Sequence, residues 1–116
     1  MLMHTVSTYP SSESDLNLKC IQLLKDKFNL PVGYSGHEPS VSPSIVAASL
    51  GAIAIERHIT LDRSMYGSDQ AASLSKDGFR QLTSVCRKIP KILGDGKKRF
   101  IEEEKLMANK LRYWNK

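Results

Sequence analysis

The chain has 116 residues, of which 41% are hydrophobic and 25% charged, with a formal net charge of +5 and two cysteines. That is enough chain for one ordinary hydrophobic core, and no low-complexity run argues for disorder. No apolar run approaches the roughly 18–20 residues of a membrane span, and "MLMHTVSTYP" lacks the basic flank and cleavage site of a secretory signal, so a cytoplasmic protein with no membrane contact is expected.

Residues Leu2 to Tyr9 are β-prone, stop at Pro10 and lead into the polar turn "SSESD", which predicts a first strand. From Asp15, a candidate N-cap, the apolar residues Leu16, Cys20, Leu23, Leu24 and Phe28 recur at helical spacing. Val32 to His37 reads as a second short strand. Ser42 as N-cap and Pro43 in the first turn then predict a helix through Leu50, closed by Gly51.

A third strand is predicted over Ala52 to Thr60, followed by a long loop. From Ser75 a helix places Phe79, Leu82, Cys86, Ile89 and Leu93 on one face, with Pro90 a candidate kink and Gly94 a stop. A last helix from about Ile101 to Trp114 is expected to pack through some of Ile101, Leu106, Leu111 and Trp114. Cys20 and Cys86, far apart on helices and without CxxC spacing, are expected as buried free thiols. The basic tail is interrupted by Glu102, Glu103 and Glu104, so a mixed-charge helix surface is favoured and nucleic-acid binding is not expected.

Strand and helix alternating three times predicts βαβ units and a parallel sheet. Strand side chains alternate with period two, so Ile53, Ile55, Arg57 and Ile59 share one face of the third strand. Ala52, Ala54, Glu56 and His58 share the other. The isoleucines belong against helices. The opposite face then turns polar at its carboxyl end, as do Gly33, Ser35 and His37 in the second strand and Thr5, Ser7 and Tyr9 in the first. His4 falls on the helix side.

Parallel α/β folds place their chemistry at the carboxyl ends of the strands. The rim would carry Ser7, Tyr9, Ser35, His37, Glu56 and His58. Adjacent strands lie about 4.8 Å apart, so His37 and His58 could reach one divalent ion, or could simply be hydrogen-bonded histidines. Glu56 cannot easily use Arg57, which points the other way, and is placed to accept hydrogen bonds from a polyol. Asp69 in "MYGSD" could fold over the rim or only start a turn.

The strings "STYP", "GYSGHE", "IERHITLD", "GSDQAASL" and "LGDGKKR", in this order, resemble the carboxyl-terminal part of the sialic acid synthase (N-acetylneuraminate synthase) family across nearly the whole chain. The resemblance implies a (β/α)8 TIM barrel that condenses phosphoenolpyruvate with N-acetylmannosamine or a related aldose, releasing phosphate and forming a nine-carbon 2-keto acid. It implies a divalent metal, manganese or magnesium, on His37 and His58. It sets Ser35 near phosphoenolpyruvate and makes Tyr9, Glu56 and Asp69 sugar contacts, with Glu56 the candidate catalytic group. Ser7 stands where some members have asparagine near phosphoenolpyruvate.

A complete barrel needs about 250 residues and eight strands. Residues 1–116 therefore read as its last three βα units plus a C-terminal helix, a partial barrel expected to be inactive alone. Two open sheet edges would invite an amino-terminal barrel half, or a homo-oligomer of a non-catalytic remnant.

Overall fold

Three short parallel strands form the sheet in the computed structural model, which describes residues 1–112. They are β1 (Leu2–Thr5), β2 (Val32–Gly36) and β3 (Ile55–Arg57), hydrogen-bonded in that order with β2 central. Leu2 pairs with Val32 and Thr5 with Ser35, while Tyr34 pairs with Ile55 and Gly36 with Arg57. All five residues of β2 are buried. A further parallel bridge joins Ile59 to Leu74.

The helices are α1 (Cys20–Phe28), α2 (Ser42–Ser49), α3 (Lys76–Leu93) and α4 (Glu102–Leu111). Helices α1 and α2 lie against β2, and α2 also meets α3. Ile21, Val32, Tyr34 and Ala47 make the core, with Leu2, Leu18, Leu24, Ala52 and Ile55 packed around it. The predicted helix-side placement of Ile55 and His4 holds: His4 Nε2 meets the Leu16 carbonyl at 2.7 Å and its ring leans on Tyr34. No helix of the described residues is long and apolar enough to cross a membrane.

Several boundaries differ from the sequence reading, for local reasons. Strand β1 ends at Thr5 rather than Tyr9, because the next carbonyl, that of Val6, is taken by Ser11 Oγ and His37 Nδ1 instead of the ladder. Strand β3 is three residues long, not nine, since after Arg57 the pairing passes from β2 to Leu74. Ile53 and Ile59 are consequently exposed instead of helix-covered. Ser42 is the first helical residue, with Val41 as cap, while Gly51 (φ +96°) and Gly94 (φ +64°) end their helices as expected. Ser75 caps α3 by accepting the Gly78 N–H at 3.2 Å, and the helix runs on through Pro90 with Leu82 and Ile89 buried. Phe79 and Leu93 on the same predicted face stay exposed.

Two helices are corrected more substantially. A one-turn 3-10 helix (Glu13–Asp15) and the left-handed Asn17 (φ 42°) break the phase before α1 begins. Leu16 is buried by itself, Ile21 becomes the anchor, and Leu23 and Phe28 point to solvent. Helix α4 buries none of its residues; Ile101, Leu106 and Leu111 are all exposed, and Trp114 lies outside the described residues. Its side-chain support is local, with Glu104 accepting the Ile101 N–H at 3.1 Å and Lys105 paired with Glu102. The radius of gyration, 19.4 Å against roughly 13 Å for a compact chain of this length, reflects such unpacked extension. Both cysteines are free and only half-buried.

The phase of α1 gives a direct test. Ile21→Ala should lower the unfolding free energy by about 2–5 kcal/mol, and Leu23→Ala by less than about 0.5 kcal/mol. Equal costs in urea denaturation would restore the phase read from the sequence.

Candidate functional site

On the sheet face away from the core, one rung carries Thr5, Ser35 and Glu56 side by side. Ser35 Oγ donates to Glu56 Oε1 at 2.8 Å, so the carboxylate has a partner on its own face and none in Arg57. Ser35 is buried; Glu56 is exposed, leaving its second oxygen open to a ligand.

Just beyond the strand ends, three rings converge. The centroids of Tyr9 and His37 are 4.3 Å apart, of His37 and His58 5.3 Å, and of Tyr9 and His58 5.8 Å. His37 is buried; Tyr9 and His58 keep about two-fifths of their surface or side chain open. His37 Nδ1 lies 2.8 Å from the Val6 carbonyl, which can only accept, so Nδ1 carries a proton and, in the neutral ring, Nε2 is the nitrogen with the lone pair. His58 Nδ1 faces Asp69 Oδ2 at 3.7 Å, near but beyond hydrogen-bond distance. His37 is thus oriented through Nδ1, as metal-binding histidines commonly are.

Asp69 therefore does both things the sequence left open. Its carboxylate reaches His58, and its carbonyl starts the turn that receives the Ala72 N–H at 3.2 Å. Ser7 is exposed in the segment after β1, outside both the hydrogen-bonded pair and the ring cluster. The structure brings together Tyr9, His37, His58 and Asp69, and separately Ser35 and Glu56.

Behind this face lies a network that sequence reasoning missed. Glu38 and Arg57 form an ion pair at 2.9 Å with side chains 0% and 1% exposed. The Glu38 carboxylate also accepts from Tyr34 Oη at 2.9 Å and Ser44 Oγ at 3.1 Å. Arg57 Nη1 reaches the Ser40 carbonyl at 2.8 Å and Ser44 Oγ at 3.0 Å, and Nη2 donates to the Glu38 carbonyl. A signal existed: Arg57 alternates onto the helix side, where a buried cation needs an acid.

Burial pushes the Arg57 guanidinium below its ordinary value, opposed by the charge of Glu38. Burial, then the hydrogen bond and charge of Glu38, hold the Tyr34 phenol above its ordinary 10.0. Gly36 makes the network possible, since a Cβ there would sit 2.7 Å from Glu38 Oε2 and 2.8 Å from Tyr34 Cε1.

Known proteins share this arrangement of chain. The sequence model of the NeuB family matches residues 1–98. An N,N'-diacetyllegionaminic acid synthase of Campylobacter jejuni is 41% identical over 111 residues, covering 96% of this chain and 33% of that protein. The N-acetylneuraminate-9-phosphate synthase of Homo sapiens is 37% identical over 110 residues, or 94% of this chain and 31% of its own length. Among solved structures, an N-acetylneuraminic acid (sialic acid) synthetase from Leptospira borgpetersenii superposes with a TM-score of 0.78 at 39% identity, over 97% of this chain and 40% of that one. The chain spans about a third of the length of the curated relatives it matches.

Tyr34 supplies a pH test with a definite sign. Its raised folded value means that its contribution is fully present below the unfolded value of 10.0 and is lost as the pH climbs toward the folded one. Stability should fall above pH 10 by up to about 1.4 kcal/mol per pH unit from this group, and Tyr34→Phe should remove that share. Identical alkaline slopes in the parent and the variant, measured by denaturation, would contradict it.

Proposed function

This chain belongs to the NeuB family, and we propose that it forms the carboxyl-terminal portion of a phosphoenolpyruvate-dependent sugar-acid synthase. It would supply the last three βα units of a (β/α)8 barrel, with α4 beyond them. The substrates would be phosphoenolpyruvate and N-acetylmannosamine or a related aldose, and the product a nine-carbon 2-keto acid. The observation that carries this reading is the pair of imidazoles, 5.3 Å apart at the carboxyl ends of adjacent parallel strands, with His37 held through Nδ1 by the Val6 carbonyl and Asp69 close to His58.

The residues fit a divalent ion. His37 and His58 would hold it through Nε2, and Asp69 would orient His58. Among the described residues no group of three or more His, Cys, Asp or Glu forms a metal cluster, so the remaining positions fall to water or substrate oxygens. Two imidazole donors suit manganese better than magnesium, which prefers oxygen. Such an ion supplies a Lewis acid that polarises the sugar's carbonyl oxygen.

The chain's own groups do the rest. Glu56, fixed by Ser35 through one oxygen, accepts sugar hydroxyls with the other and orients the aldose. Tyr9, whose ring lies against His37, would form a wall for the sugar. Ser35, and Ser7 after β1, would serve the phosphoenolpyruvate side of this scheme. His58 and Asp69 bring the loop after β3 to the rim, where it can exclude water from the reacting carbons.

A second reading has one observation in its favour. Helix α4 is entirely unburied and carries exposed Leu106, Met107 and Leu111, which suits a non-catalytic chain that self-associates.

One experiment separates the two. The chain is combined with the amino-terminal half of a family barrel, manganese, phosphoenolpyruvate and N-acetylmannosamine. Phosphate release is expected, with a loss of at least about 100-fold on His37→Ala or His58→Ala. A folded complex that releases no phosphate, or histidine variants that remain fully active, would overturn the synthase reading. A stable homo-oligomer indifferent to both substitutions would support the assembly role instead.

A further inference from the structure

We propose that the buried Glu38–Arg57 pair is a positioning device for the two imidazoles, fixing the separation and orientation in which His37 and His58 are presented on the opposite face of the sheet. The inference rests on the reading of those histidines as ligands of one divalent ion.

The connection is covalent and short. Glu38 follows His37 directly, and Arg57 directly precedes His58. Successive residues of extended chain point to opposite faces, so each histidine has one member of the pair beside it in sequence and behind it in space. The β2–β3 register ends at Gly36↔Arg57. Past that rung the two segments take other neighbours: the His37 carbonyl accepts from Ser11 at 3.0 Å, and the His58 carbonyl from Leu74 at 2.8 Å.

The side-chain tie across this divergence is the Arg57 guanidinium. Through Nη1 it holds Glu38 Oε1, the Ser40 carbonyl and Ser44 Oγ, and through Nη2 it holds the main-chain carbonyl of Glu38. It therefore grips the backbone one residue from His37 as well as the carboxylate. Tyr34 Oη holds the other carboxylate oxygen, Oε2, Ser44 Oγ shares Oε1 with the arginine, and a Cβ at Gly36 would collide with both oxygens.

A buried ion pair is a poor source of stability, because desolvation offsets most of its attraction, and apolar residues of similar volume often serve as well. What such a pair supplies here is a fixed geometry. Two ligands must meet one ion within a few tenths of an ångström, and the fork joins the two backbones that carry them.

The test uses the full chain with Glu38→Leu and Arg57→Met combined, which leaves no orphaned charge, and Arg57→Lys, which keeps the charge but loses the fork. Two readouts are taken: cobalt(II) binding, followed by its visible d–d absorption, and the long-range proton–nitrogen spectrum of the histidine rings without metal. The double variant should keep the parent's circular dichroism, bind cobalt(II) at least about tenfold more weakly, and lose the single Nδ1–H tautomer of His37.

A folded variant with the parent's cobalt affinity and ring spectrum would overturn the proposal and leave the pair a packing feature. If the double variant does not fold, Arg57→Lys decides by the same two criteria. If the parent binds cobalt(II) no better than a His37→Ala, His58→Ala control, the metal reading fails. The ring spectra then decide alone: an unchanged His37 tautomer overturns the positioning role, and a changed one supports it.

Discussion

Two opposite charges removed from water together set the terms for the rest of this structure. Either one alone, at 0% or 1% exposure, would be untenable, so Glu38 and Arg57 must arrive as a pair with their remaining hydrogen-bonding capacity nearly filled. That requirement reaches into three elements. Strand β2 contributes Tyr34, α2 contributes Ser44 and the approach to it the Ser40 carbonyl, and β3 contributes the arginine. Within this network only Arg57 Nε is left without a partner. Pro43 and Ser44 are buried in consequence, which seats the first turn of α2 directly over the carboxyl end of the sheet.

The sheet is divided along its length by this network. At the amino ends of the strands the helix side is apolar, with Val32 and Ile21 against Ala47. At the carboxyl ends the same side holds the ion pair, and the opposite side holds Ser35, Glu56 and the two imidazoles. Polar groups on both faces of one strand end are costly unless each is satisfied, and here nearly all are. The apolar core lies at one end of the sheet and the polar groups are gathered at the other, the arrangement common in parallel α/β folds.

Strand alternation made much of the polar face legible. It put Thr5, Ser35 and Glu56 on one face, and the register shows them in one rung. It also sent Arg57 away from Glu56 and His4 toward the helices. Alternation gives the face, however, and not the partner on the next strand. Glu38 sits just past the end of β2, and its mate is 19 residues further on, so the pair emerges only once Gly36 is set opposite Arg57. The phase of α1 failed for a different reason: the left-handed Asn17 offsets Leu16 from the helix that follows, and helical spacing counted across it is meaningless. The apolar residues of α4 looked like a packing face because spacing records amphipathicity, not whether a second surface is there to meet it.

The groups at the rim are oriented by contacts within these residues. Val6 fixes His37, Asp69 faces His58, Ser35 holds Glu56, and the Glu38–Arg57 network stands behind both histidines. A site preorganised in this way needs from any further strands enclosure and contacts to the rest of a ligand, rather than instruction about where its own side chains belong. Enclosure still matters to the energetics. His58 and Glu56 face water on one side, and electrostatic interactions at such a rim strengthen steeply once water is excluded.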